Sequence, residues 1–315
     1  MADRPLFSLL LCGIVACGSG SEQFVWTEPL VATSDGGVLV LTVVAESRGD
    51  IVEQRCSDTH LTYVSAALNV RRAVTDNQSL CAATQAGNVR AGLDEFGRLL
   101  FADLFDGGQL KVLDTRAGTT IALKAGCLAD APVLAGDVRS HRVAIFLAGC
   151  ERTDGYWIHI LQLSPDLRVV VNEDSMRTES PPRSMAFGPG QTGLLVHVRD
   201  TASDRIVILD LAKRTTKIVT TGRLPASQST GTGLAFVRDE GVATDAWALM
   251  FSDSVSATAR EVLSMRVARE RIGDSSAVNV SAPIVSLDNQ YVWLGFAERV
   301  LRVHLTTGTV DVVVP

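Results

Sequence analysis

From Pro29 onward the chain alternates short apolar runs with breaks rich in Gly, Asp and Ser. The runs favour Val, Leu, Ile and Thr, and helical periodicity over a dozen residues is absent, so the pattern predicts β-strands. Several units read strand, tight polar turn, strand. Lys111 to Asp114 leads through TRAGTT into Ile121 to Leu123, and Leu161-Gln162 leads through LSPDLR into Val169 to Val171. Ile208 to Asp210 leads through LAKRTT into Lys217 to Val219, and Val303-His304 leads through LTTGT into Val310 to Val314. Positions 114, 162, 210 and 304 anchor these units at spacings of 48, 48 and 94 residues. Arg266, in LSMRVARERI, is expected to fill the gap, and a fainter copy lies near Arg55. A second recurrence, a turn followed by an apolar strand, precedes the anchors: Asp35-Gly36-Gly37 before VLVLTVV, Asp94 to Gly97 before RLLFADL, and Gly136-Asp137 before RVAIFL. It continues with Gly188 to Gly190 before GLLVHV, then AWALMF at 246–251, then Asp288 to Gln290 before YVWLGF.

Repeats of 40–50 residues, each holding four short strands, are the sequence form of a β-propeller, in which every blade packs between its neighbours. The predicted fold is all-β: a single propeller over 29–315, with six four-stranded blades at about 29–67, 88–124, 132–171, 182–220, 231–275 and 281–314. A degenerate seventh blade at 68–87 is the alternative count. Phe24-Val25-Trp26 is expected to add an outer strand to the last blade as a clasp. A pair of β-sandwiches is a competing architecture, and a β-helix is another, although its coil is far shorter than this repeat. The order of Asp/Gly turn, apolar strand, strand ending near Asp, T-x-G-like turn and strand resembles the propeller repeats of bacterial envelope proteins of the TolB and YncE types. Where TolB-type repeats carry Pro-Asp-Gly, this chain has variants such as Asp35-Gly36-Gly37.

The N-terminus has a different texture. Arg4 precedes an apolar segment, Leu6 to Ala16, of signal-peptide length. It ends in Ile14-Val15-Ala16-Cys17, followed by Gly18-Ser19-Gly20-Ser21, which resembles the lipobox of bacterial lipoproteins. A small residue before the cut admits a peptidase, and the Cys17 thiol is the group that can become a thioether to diacylglycerol. The expected division is 1–16 signal peptide, 17–28 lipidated Cys17 and tether, and 29–315 propeller. An ordinary secretory signal or a buried helix are the other readings of the segment. The resemblance implies anchoring in the cell envelope. Gly18, in place of an Asp-type retention signal, implies the outer membrane, on its periplasmic or surface face.

Six cysteines are present. With Cys12 removed and Cys17 acylated, Cys56, Cys81, Cys127 and Cys150 remain, an even number suited to an oxidising compartment. Of three possible connectivities, pairing of sequence neighbours predicts Cys56–Cys81 and Cys127–Cys150, each closure contributing roughly 3 kcal/mol in the chain-entropy view. Four free buried thiols are the alternative.

Composition narrows the function classes. The chain has 315 residues, 46% hydrophobic, with a net charge of −6. That apolar content excludes a disordered chain, and the acidic balance argues against non-specific nucleic-acid binding. Asp114 and Asp210 share a repeat position with Gln162 and His304, and are expected to hold the amides of the turn that follows. Asp35, Asp94, Asp137 and Asp288 are expected to be turn-formers too. His159 and His304 fall in equivalent strands; strand histidines facing turns are the expectation, and channel-facing ligands the alternative. Arg139, His141 and Arg142 form a small basic patch expected to be solvated. No nucleophile elbow, Walker motif or dinucleotide glycine pattern occurs. The expected function is a lipid-anchored, non-catalytic envelope propeller, without metal or cofactor, serving as a platform for a protein partner or small ligand. The alternative is a metal-dependent hydrolase of lactonase type. Such six-bladed enzymes hold a divalent cation with Glu, Asn and Asp from different blades, but here the likeness is of architecture alone.

Overall fold

The computed structural model describes residues 22–48, 51–72, 90–94, 97–103, 109–124, 133–137, 140–146, 155–188, 193–200, 203–227, 232–240, 246–277 and 280–315. Among them the strands form six four-stranded antiparallel sheets, each a meander of consecutive strands. Blade 1 is β1 (Glu22–Ala32), β2 (Val38–Arg48), β3 (Ile51–Val64) and β4 (Val70–Arg72). Blade 2 is β5 (Arg90–Gly92), β6 (Arg98–Asp103), β7 (Gln109–Asp114) and β8 (Thr119–Lys124). Blade 3 is β9 (Val133–Asp137), β10 (Arg142–Phe146), β11 (Tyr156–Leu163) and β12 (Val170–Thr178). Blade 4 is β13 (Pro182–Phe187), β14 (Gly193–Arg199), β15 (Asp204–Asp210) and β16 (Thr215–Thr221). Blade 5 is β17 (Arg223–Ser227), β18 (Leu234–Asp239), β19 (Trp247–Ser252) and β20 (Arg260–Ser264). Blade 6 is β21 (Ile284–Val285), β22 (Tyr291–Phe296), β23 (Arg299–His304) and β24 (Val310–Val313). In every blade the first-to-second and third-to-fourth turns lie at one end of the strands, the turn face. The second-to-third turns lie at the other, the back face.

The burial pattern explains the sequence rhythm. Second and third strands have neighbours on both faces, so they read as nearly continuous apolar runs; every residue of β19 is buried. Outer strands face solvent, and β16 is mostly exposed. The seams between blades are the core. Trp247 of blade 5 meets Phe296 of blade 6 edge-to-face at 5.2 Å, within a cluster that includes Leu249, Leu294 and Leu301. Arginines cross the seams above this packing. Arg98 donates to the carbonyl of Asp166 at 3.0 Å, Arg214 to that of Ser175 at 2.9 Å, and Arg260 to that of Leu305 at 2.5 Å. Arg142, expected in a solvated patch, instead pairs with Asp137 at 3.0 Å and lies over the Phe187 ring of blade 4 at 4.8 Å.

Three expectations need correction. Phe24 to Trp26 does not clasp the last blade: these residues belong to β1, the first strand of blade 1, paired with β2, so the strand begins well inside the span assigned to the tether. Among the described residues blades 6 and 1 share no strand, and the ring closes by side-chain packing and hydrogen bonds across the seam. Val38, Val40 and Val64 of blade 1 pack on Trp293, Val300 and Val313 of blade 6. Thr27 Oγ1 donates to the carbonyl of Arg299 at 2.8 Å, and Arg302, ion-paired with Asp311 at 2.7 Å, donates to the carbonyl of Ala66. Second, Arg266 is no strand anchor. It lies in helix α1 (Met265–Ile272), which starts at the Ser264 N-cap and stops at Gly273 with φ 73°. The pairing register places Ser252 opposite Leu234, as Asp210 is opposite Gly193, so Ser252 is the anchor of blade 5. Val64, opposite Val38, is that of blade 1, not Arg55. Third, the ring has six blades, and Val70–Arg72, within the span considered for a seventh, completes blade 1. The rest of that span lies outside the described residues.

Candidate functional site

The six first strands surround the axis of the ring and enclose a central channel of about 220 Å³. These strands are inner edges with no further partner in the sheet, which is why they tolerate proline: Pro29 interrupts the β1 register, and Pro225 sits within β17. Close approach of backbones narrows the passage. A Cβ on Gly92 would stand 2.9 Å from the Leu30 carbonyl oxygen of the neighbouring blade. The wall is chiefly backbone and small or apolar side chains such as Val31, Ala135, Met185 and Ala226; its carboxylates are Glu28 and Asp137. Asp137 is already engaged by Ser140 and Arg142.

On the turn face, the first-to-second turns of blades 1, 2 and 6 each carry an aspartate: Asp35, Asp94 and Asp288. Asp35 accepts from Thr33 Oγ1 at 2.6 Å, from the Gly37 amide at 3.3 Å and from the Tyr63 hydroxyl. Partial burial pushes its carboxyl up, but these hydrogen bonds outweigh burial and hold it below the ordinary carboxylate value. Asp94 accepts from the Arg98 amide at 3.0 Å and is ion-paired with its guanidinium. Asp288 accepts from Ser286 Oγ at 2.5 Å and the Gln290 amide at 3.1 Å. Each carboxylate is thus engaged within its own blade.

Farther out, Asp114 Oδ1 accepts the amides of Arg116 and Ala117, both at 3.0 Å, and Asp210 Oδ1 accepts those of Ala212 and Lys213 at 3.1 and 2.9 Å. The Lys213 amide, with the charge of Lys213, holds the exposed Asp210 carboxyl low. His304 Nδ1 accepts the amides of Thr306 and Thr307 at 3.1 and 3.2 Å, so an imidazole nitrogen takes the place of the carboxylate. Gln162 departs from this pattern: its Nε2 donates to the Ser140 carbonyl at 2.6 Å, and Ser164 Oγ accepts the turn amides instead. His159 bonds Glu173 of the outer strand at 2.8 Å. Neither His159 nor His304 lines the channel. Cys56 lies on the backbone of β3. Its side chain, and Cys17, Cys81, Cys127 and Cys150, lie outside the described residues.

A buried histidine escaped the sequence reading. His197 Nε2 bonds Asp204 Oδ1 at 2.8 Å, at the seam with blade 5. Burial pushes its pKa below the ordinary histidine value; Asp204 opposes this, and Arg223 and Arg183 reinforce it. The neutral ring is therefore the folded form, and the unfolded chain takes up the proton first. The resulting contribution to stability is present in full above about pH 6.5 and is lost as pH falls through the depressed folded pKa. In His197→Gln, which keeps a donor for Asp204, denaturant titrations at pH 7.5 and 5 are expected to show a smaller acid loss than wild type. An equal loss would contradict the assignment.

Among the described residues no three of His, Cys, Asp and Glu are gathered as a metal site. Among the described residues the channel wall offers Glu28 and Asp137 as its carboxylates, a set that does not fit the Glu, Asn and Asp of a lactonase-type divalent centre. A second cavity, about 770 Å³, lies beside helix α1, where Arg266 pairs with Glu270 at 2.7 Å and Arg269 donates to the Ala277 carbonyl at 2.7 Å.

No protein-family model matches the chain, and no curated protein matches it by sequence. Solved structures do. A TolB-like protein from Agrobacterium tumefaciens superposes with a TM-score of 0.55 at 10% identity, covering 88% of this chain and 99% of its own. TolB from Acinetobacter baumannii gives 0.50 at 13% identity, covering 92% and 69%. A gluconolactonase-like protein gives 0.48 at 13% identity, covering 94% of both chains. At such identities the likeness is one of fold, and the chain is a six-bladed β-propeller similar in architecture to TolB.

Proposed function

We propose that the chain is a lipid-anchored, non-catalytic propeller of the bacterial cell envelope that works as a docking platform for another protein. The observation that carries this reading is the channel. The axial cavity, where lactonase-type propellers hold their cation, is here walled chiefly by backbone and apolar side chains, with Asp137 engaged by Ser140 and Arg142 and the aspartates of the first-to-second turns engaged within their own blades. Such walls support binding better than bond-making chemistry. The Ile14 to Cys17 sequence and the Gly/Ser stretch after it support an acylated Cys17, and the fold shared with TolB from two bacteria is compatible with an envelope setting.

Crosslinking in intact envelopes, followed by affinity purification of the tagged protein, tests the platform. A protein recovered in stoichiometric amount is the expected result. A propeller recovered alone under crosslinking would overturn the reading and turn attention to small ligands.

A further inference from the structure

Blade 1 is built to different dimensions from the others. Its second strand has 11 residues and its third has 14, whereas second strands elsewhere have 5 to 7 and third strands 6 to 8. All six second strands start from the turn face, so the surplus projects from the back face. It is a continuous sheet: Glu22 of β1 pairs with Ser47 of β2, Phe24 with Ala45, and Glu46 of β2 with Arg55 of β3. Residues 44–48 extend beyond the length of a six-residue strand, which amounts to an arm of about 17 Å at 3.3 Å per residue. The first residue of β1, Glu22, sits at the arm's far end.

We propose that this arm is a spacer that orients the propeller on the membrane, with the back face toward the bilayer carrying the Cys17 acyl chains and the turn face toward the aqueous space, where the docking partner approaches. The inference rests on the anchored reading given above. Its force comes from two lengths. Cys17 to Ser21 are five residues, which reach at most about 17 Å when fully extended. The 11 residues of β1 separate the arm's tip from the turn face by about 36 Å. The tether is therefore too short for the turn face to lie flat on the bilayer, whereas the back face is within its reach.

The test uses the full, acylated chain in phosphatidylethanolamine/phosphatidylglycerol vesicles that carry a headgroup-linked energy acceptor. A donor dye is coupled to p-azidophenylalanine placed either at Glu298, exposed in a back-face turn of blade 6, or at Thr306, exposed in a turn-face turn of the same blade. Transfer is expected to be more efficient from position 298, since β23 sets the two ends roughly 20 Å apart. Inserting twenty Gly/Ser residues between Ser21 and Glu22 leaves every strand intact and is expected to shrink the difference. Equal or reversed efficiencies from a chain that floats with the vesicles overturn the orientation and leave the anchor standing. A chain that does not float, with Cys17 unmodified by mass, overturns the anchor and the spacer together.

Discussion

Gly295→Val is expected to lower the stability of the propeller by about 3 kcal/mol or more, the upper range for overpacking a closed core. Gly295 lies in β22 of blade 6, where the ring meets blade 1. A Cβ at this position would stand 2.3 Å from the Thr27 carbonyl oxygen, 2.8 Å from Ser281 Oγ and 3.2 Å from Pro29 Cδ. The first of these neighbours is backbone, in a strand held by its ladder with β2, so it has no rotamer to change. Blades 1 and 6 must move apart, and the Thr27 and Arg302 hydrogen bonds to the opposite blade weaken with them. For a domain of this size the loss corresponds to a fall of about 5 °C in Tm. Gly308→Ala is the control. Gly308 has φ 69° and no neighbour within 4 Å, so its cost is limited to the left-handed backbone, about 1 kcal/mol. Urea titration of both variants checks the prediction, and a loss at Gly295 no larger than that at Gly308 would mean that the closing seam is loose.

Cys17→Ser is expected to transfer the protein from the membrane pellet to the soluble envelope fraction. Serine cannot form the thioether, and each methylene withdrawn from the bilayer gives up about 0.8 kcal/mol, so removal of the acyl chains dominates any residual contact of the domain. The fold is expected to persist, because position 17 precedes the first residue of β1 by five. Fractionation reads the first outcome, and circular dichroism with an unchanged Tm reads the second. Retention of the serine variant in the pellet would remove the case for a lipoprotein.

What the sequence discloses about this fold follows burial. Second strands are covered on both faces, so VLVLTVV, GLLVHV and YVWLGF stand out as apolar runs and set the count of blades. First strands are hidden from such a reading. β21 has two residues, and β17 reads R-L-P-A-S, with Leu224 at φ 51° beside a proline, a combination that normally marks a loop. Blade 5 therefore shifts by one strand when read from sequence: AWALMF passes for a second strand although it forms the third, β19. The helix that follows Ser264 then takes the place of a turn. Glu28-Pro29 separates FVW from LVA in the same way, although both halves belong to β1. The contacts of Asp114 and Asp210 are with amides two and three residues on, so spacing alone points to them. Arg302 and the Ala66 carbonyl are 236 residues apart, and His197 acquires its buried setting only when blade 5 closes over it. Nothing local in the chain marks either.

The absence of a shared strand between blades 6 and 1 has an evolutionary meaning. Each sheet is encoded by one uninterrupted stretch of the gene, so a unit duplication or deletion adds or removes a finished blade and leaves no orphan strand behind. A clasped ring lacks this freedom, since its first and last coding segments must stay matched to each other. In this chain, among the described residues, what a change of blade number must preserve lies on two facing surfaces: the side chains from Val38 to Val64 against those from Trp293 to Val313, the Thr27 and Arg302 hydrogen bonds, and the close approach at Gly295.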